Sequence, residues 1–423
     1  MPVYDIPFQL DAPHRRCVVG GEPMLFHCHH YNTFLQRTIQ QDADFVDSRP
    51  FLVGAAAEVA FAQFSSLFAR VDAIADRKRL ATSLYQWAGL GTFDLTNLDD
   101  TGGEVRTENS HYAMAWRAKF GRSNRPVCDF ASGWLAGTLA AIYGLSAGSF
   151  SVEHRSCSAC GDSPTCGFRL TREAPNYTVF NPVGTGALTE HRPQAIPATP
   201  VDYDGILEAL TGMEIVGDTN GQIPAFGVYL TRHYANYYNR ISFEFERNLH
   251  ALLGAQGIEV ASPLLIEAGH VCAFNTFGGI MTSPEWDALI KPSLKTREDW
   301  VHGIVAAINA LGWGRWQVTT LSETEAEFVI HDDYESTGYL AMYGTSDHPI
   351  SYLAQGAVAG VMNLVYHGDV ASNPEFTAEY YNRLFKTEGS YAANCLTSKA
   401  QGDEVTSFRV RRAVAEAALY EAV

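Results

Sequence analysis

The segment HYNTFLQR, His30 to Arg37, returns 203 positions later as HYANYYNR, His233 to Arg240, keeping His, Tyr, an aromatic residue at the fifth place, an amide at the seventh and Arg at the eighth. A second block, ASGWLAGTLAAIYG (Ala131 to Gly144), recurs at an offset of 223 as AQGAVAGVMNLVYHG (Ala354 to Gly368). A third, CGDSPTCGFRLTR, has its counterpart in QGDEVTSFRVRR, sharing Gly-Asp and then Phe-Arg. Three matches in one order define a tandem repeat, which constrains the fold before any element is assigned. The change from 203 to 223 places about twenty inserted residues between the first two blocks of the second copy.

Both copies read alike. A helix carries the His-Tyr segment, and a long apolar helix follows, RPFLVGAAAEVAFAQFSSLFARV in the first copy and ASPLLIEAGHVCAFNTFGGIM in the second. After a shorter helix come two strands, GTFDLTNLD with EVRTENS and GRWQVTTLSE with AEFVIHDDY, where β-branched and apolar residues alternate with interruptions. The glycine-rich helix and two strands around the Gly-Asp turn close the unit. The fold class is α+β, with two tandem domains, each an antiparallel sheet packed with helices, arranged as a pseudo-dimer. NPVGTGALTEHRPQAIPATPVDYDG is rich in Pro, Gly and Thr without apolar periodicity, which divides the chain into 1–177, a linker at 178–203, and 204–423.

A net charge of −17 lacks the basic surface that nucleic acids or anionic membranes require. MPVYDIPFQLDAPHRR has no basic-then-apolar leader pattern, and FLVGAAAEVAFAQF carries a Glu and is shorter than a membrane span. A cytoplasmic protein without membrane insertion is expected. Eight cysteines among 423 residues are too sparse for a disulfide framework. In a reducing compartment, the cluster in SVEHRSCSACGDSPTCGF therefore reads as a metal site.

PVCDFASGWLAGTLAAIYG followed by EHRSCSACGDSPTCGF resembles the 4-vinyl-reductase domain family. That family includes bacteriochlorophyll 4-vinyl-reductase-like proteins and the sensor domains of phenol- and toluene-responsive regulators, and is related in fold to the TRAPP tethering subunits. The resemblance implies a structural zinc held by Cys128, Glu153, Cys157 and Cys166. Glu153 lies one residue further from Cys157 than the family spacing, which leaves His154 as an alternative, and one extra residue separates Gly161 from Cys166. Cys160 is a further thiol for the fourth position. Three Cys plus any of these three fill a tetrahedral zinc site, leaving no coordination position for substrate. In the second copy Ser351 is expected in place of Cys128 and Ser407 in place of Cys166, so Cys395 alone holds no metal there.

The other constellation is MLFHCHHYNTFLQ. On a helix, His27, His30, Tyr31 and Phe34 would share a sector of roughly 60°. Leu230, His233, Tyr234 and Tyr237 form the same face in the second copy, and the resemblance implies a ligand pocket among these helices. Two histidines fall short of an open catalytic metal site, which usually has three protein ligands. His111, His154, His270 or Glu267 would have to complete a second metal. HDDYES, His331 to Ser336, reads as a solvated turn after a strand.

The leading functional expectation is a binding or carrier protein for a small hydrophobic or aromatic molecule, stabilised by zinc, with a protein partner or homo-oligomer to transmit any signal. One alternative is a metal-dependent enzyme using His27 and His30, with His233 as a further candidate; another is an assembly scaffold. There is no G-x-S-x-G elbow or H-E-x-x-H helix, and no nicotinamide or flavin fingerprint.

Overall fold

The computed structural model describes residues 4–11, 15–42, 46–161, 163–175 and 199–412. Its first half runs β1 (Phe8–Asp11), β2 (Arg16–Val19), β3 (Glu22–Cys28), α1 (His29–Arg37), α2 (Arg49–Phe68), α3 (Ile74–Trp87), β4 (Gly102–Thr107), α4 (His111–Phe120), α5 (Asp129–Ile142), β5 (Phe150–Ser156) and β6 (Cys166–Arg172). The second half opens with α6 (Tyr203–Thr211), β7 (Ile223–Ala225), β8 (Val228–Tyr234), α7 (Ala235–Leu253) and α8 (Ala255–Cys272). It continues through α9 (Gly278–Met281), α10 (Pro284–Leu289), α11 (Arg297–Ile308), β9 (Arg315–Leu321), β10 (Glu325–His331) and α12 (Tyr334–Tyr343). It closes with α13 (Tyr352–Met362), α14 (Ala378–Phe385), β11 (Tyr391–Thr397) and β12 (Thr406–Arg412). The fold is α+β, with antiparallel sheets packed against helices.

The glycines of the second repeated block are explained by helix contact. A Cβ on Gly133 would lie 2.0 Å from the Val53 carbonyl oxygen, and one on Gly137 2.1 Å from that of Ala57, so α5 rests directly on the backbone of α2. The counterpart helices α13 and α8 meet the same way, with a Gly356 Cβ 2.3 Å from the Ile266 carbonyl oxygen. Only glycine permits so close an approach.

The halves are joined reciprocally. α1 packs on α8, and α7 on α2. Strands from both halves form one sheet in the order β1-β2-β3-β8-β7, with Leu25 opposite His233 and His27 opposite Thr231. The Phe26 amide donates to Leu311 O beyond α11, while the Arg232 amide donates to Ala88 O beyond α3, both at 2.8 Å. The remaining strands make a sheet in each half, β4-β6-β5 and β11-β12-β10-β9.

Three readings need correction. GTFDLTNLD forms no strand; around it are only the isolated bridges Gly91↔Ser110 and Asp99↔Gly102, so the first half's sheet is one strand narrower. Its two Asp side chains close local turns on Thr96 and Thr101, competing with a ladder. His27 and His233 lie on strands rather than helices, because a short apolar run carries no periodicity that separates strand from helix and the seam pairing decides. HDDYES is buried. Asp332 pairs with Lys399 at 2.5 Å, Asp333 caps α12, and Glu335 accepts from the Leu353 and Ala354 amides at the start of α13, each at 3.0 Å. Buried carboxylates persist when paired this way.

Two helices are long and apolar enough to cross a membrane by length and composition, Arg49–Phe68 and Ala255–Met281. The first is longer than its apolar stretch alone indicated. Both pack within the molecule, with 56% and 50% of their most apolar windows buried. Most of 178–203, and Asp162 of the Gly-Asp turn, lie outside the described residues.

Candidate functional site

Cys128 stands at the N-cap of α5, Cys157 just after β5, and Cys166 at the first position of β6. The sheet register brings β5 against β6, and a shift between His154 and Ser156 turns the end of β5 toward α5. As a result Cys128, His154, Cys157 and Cys166 each offer a ligand atom within 4.8 Å of all the others, with the three thiols buried. Among the described residues this is the one such group of three or more. Glu153 faces the opposite side and pairs with Arg155 at 3.0 Å, because neighbouring strand residues alternate faces. Cys160 is outside the group.

The surroundings suit thiolates. The Ser158 amide and hydroxyl each lie 3.4 Å from Cys166 Sγ, and the Ser110 hydroxyl lies 3.2 Å from Cys128 Sγ. Hydrogen bonding to Cys128 and Cys166 draws the Cys157 thiol far down, while the same contacts push Cys128 up. Both ring nitrogens of His154 are sealed from solvent, their polar neighbours are the Cys157 and Cys166 thiols, and the ring stacks on Phe168 at 4.5 Å. An imidazole turned toward three buried thiols is the donor set of a closed, four-coordinate zinc site.

The second half supplies a comparison. Phe408 and Arg409 align with Phe168 and Arg169, so the counterpart of Cys166 is Thr406, and Ser407 stands opposite Gly167. His154 and Cys157 correspond to Cys395 and Ser398 by position before the αL glycines Gly161 and Gly402. Here Asp333 replaces Ser110 as the cap of the preceding helix. Its carboxylate accepts from Ser351 at 2.9 Å and Thr406 at 2.6 Å. A hydroxyl–carboxylate network thus occupies the place of the thiol cluster.

The histidines occupy the seam between the halves. His27 is enclosed by Tyr31, Tyr238 and Trp313, with ring centroids 4.2, 4.8 and 4.5 Å away, and Cys272 Sγ lies 3.4 Å from its Nδ1. His233 packs against Phe130, Tyr237 and Tyr238. Its Nδ1 accepts the Tyr234 amide, so Nε2 carries the proton toward the Tyr112 hydroxyl at 3.2 Å. Asn32 ties the halves together, donating to Thr231 at 2.9 Å and His111 Nε2 at 3.0 Å and accepting from Tyr238. Burial, then a neighbouring histidine, holds His27 and His233 far below the ordinary imidazole range. They are neutral at any physiological pH.

His30 is half-buried at the start of α1, with Nδ1 3.2 Å from Lys119 Nζ; Phe34, one turn on, is half-buried beneath the same ammonium. His30 and His27 therefore belong to different environments, and among the described residues neither joins a group of three potential ligands. His270 pairs with Glu267 at 3.3 Å on α8.

A pocket of about 610 Å³ lies elsewhere, between the shared sheet and α6. Its walls come from Phe8, Met24, Phe26, Trp87, Leu230 and Leu311 among others, and of the expected ligand face only Leu230 reaches it. The sequence carried little signal for it, since its residues come from both halves and from strands β1 and β2, which were not anticipated.

No protein-family model matches the chain, and no curated protein matches it by sequence. Among solved structures it is similar to the phenol-responsive sensory domain of the transcription activator PoxR with phenol, over 43% of this chain and 81% of that one, at 14% identity and a TM-score of 0.29.

Proposed function

We propose that the chain is a binding protein for a small, mainly apolar molecule, built from two 4-vinyl-reductase-like units (1–177 and 204–423) fused through 178–203 as a pseudo-dimer, the first clamped by zinc. The observation that carries the ligand reading is the pocket: about 610 Å³ is within the range of small-molecule sites, and its walls are largely apolar and aromatic. Cys128, His154, Cys157 and Cys166 would hold the zinc. With four protein donors its contribution is to fasten β5 and β6 to α5, and no position remains for substrate chemistry.

Binding of the neutral probe N-phenyl-1-naphthylamine tests this. Wild-type protein should enhance its fluorescence saturably, and Leu207→Trp, on the α6 wall of the pocket, should reduce that binding at least fivefold. Probe binding unaffected by Leu207→Trp would count against the pocket as the site.

A further inference from the structure

Arg232 lies in β8 directly opposite Phe26 of β3, on the floor of this pocket. Its guanidinium is held between two rings, 4.2 Å from the centroid of Phe26 and 4.7 Å from that of Trp87. Its Nε is sealed from solvent without a partner, and among the described residues no carboxylate pairs with it. Its polar neighbour is the Cys17 thiol, which burial keeps protonated despite the adjacent cation. The other two arginines of the pocket are engaged. Arg15 meets Asp204 at 3.5 Å, and Arg16 donates to the Asp332 carbonyl at 2.7 Å and the Thr337 hydroxyl at 2.8 Å.

A guanidinium set in an apolar enclosure without a counter-charge is costly, and a planar anion reaching its terminal amino groups from the pocket removes the cost through charge-assisted hydrogen bonds. The ring sandwich fixes the plane in advance, so little ordering is lost on binding. Asp204, Glu208 and Glu214 are exposed lining residues, and their charge selects against multiply charged ligands.

We infer that this pocket takes an apolar monocarboxylate, its carboxylate on Arg232 and its hydrocarbon or aromatic body against Phe26, Trp87, Met24 and Leu311. The inference rests on the pocket being the ligand site and adds the chemistry of the ligand. Isothermal titration with two matched pairs tests it: decanoate against decanol, and 2-naphthoate against 2-naphthol. At least one acid should bind wild-type protein about tenfold or more tightly than its neutral partner, the discrimination expected of a charge-assisted pair. The arm that responds identifies the body as aliphatic or aromatic. Arg232→Gln should bring acid and alcohol to within about threefold of each other while leaving alcohol binding in place. Alcohols binding as well as acids to wild-type protein would overturn the carboxylate assignment and leave the apolar pocket standing. Binding of neither class would overturn both. The wild-type comparison decides even if Arg232→Gln fails to fold.

Discussion

Replacing Cys166 with Ser removes one of four donors from a cluster whose other members, two buried thiols and a half-buried imidazole, are fixed by α5 and the end of β5. A metal present at a thousandfold excess over its dissociation constant stabilises the folded state by about 4 kcal/mol, and that contribution disappears with the site. The hydroxyl adds no compensation. In the second half the equivalent Thr406 donates to Asp333, but the first half has Ser110 at that cap, so a serine at 166 meets no carboxylate. A loss of about 4 kcal/mol in a unit of this size corresponds to a melting shift of roughly 8–16 °C. Elemental analysis should find zinc in the wild-type protein and none in Cys166→Ser. Calorimetry with and without EDTA should show chelation lowering the wild-type melting temperature toward that of the variant. Zinc lost with the melting temperature unchanged would refute the structural role. The structure also specifies a rescue. Ser110→Asp, Cys128→Ser and Cys166→Thr together install the second half's network, and should recover part of the loss without metal. A triple variant no more stable than Cys166→Ser would show that the two networks are not interchangeable.

Gly137→Val would drive a branched side chain into the Ala57 carbonyl, where a Cβ alone already lies 2.1 Å away, and should cost about 3 kcal/mol or more in chemical denaturation. Glu22, buried beside Asn236, has its carboxyl pushed up to about 8 by burial, against the opposing hydrogen bonds from Asn236. A carboxyl whose folded pKa exceeds its unfolded value binds more protons when folded, so stability falls as pH rises from near 4.5 to 8. Glu22→Gln should therefore be stabilising at pH 8, by about 1 kcal/mol or more, with the gain vanishing near pH 4, as thermal melts across that range would show. Residues 1–177 and 204–423, expressed as separate chains, should co-purify as a one-to-one complex through the β3–β8 pairing; size-exclusion profiles with two independent species would argue against the pseudo-dimer.

Much of the architecture was legible because it is written in spacing. The glycines at 133 and 137 mark where one helix rests on another, and their recurrence at 356 and 360 reports the same contact in the second half. The cysteine cluster was also readable, since few other arrangements of three local thiols are useful in a reducing compartment. Its fourth member was not. Glu153 and His154 are adjacent, and strand alternation sends one to solvent and the other inward according to a register that β6 and a bulge set from outside the segment.

The amino-acid sequence by itself determined the α+β class and the thiols of the candidate metal site, because each depends on residue type and local period, whereas the counterpart of Cys166 in the second half, Thr406 rather than Ser407, took the strand register to find. Only the tertiary structure decided what the two halves make between them. His27 and His233 became strand residues because β3 and β8 pair across the seam, and their neutrality follows from that burial rather than from their neighbours in sequence. HDDYES, polar enough to belong in water, was drawn inside because Lys399, Ser351, Thr406 and the first amides of α13 arrive from distant positions to satisfy it. The pocket around Arg232 has the same origin. Phe26, Trp87 and Arg232 are unremarkable where they stand in the chain, and come together only when a strand and a helix end from one half close around a strand of the other. Burial and pairing are properties of the assembled packing, and no local pattern encodes them.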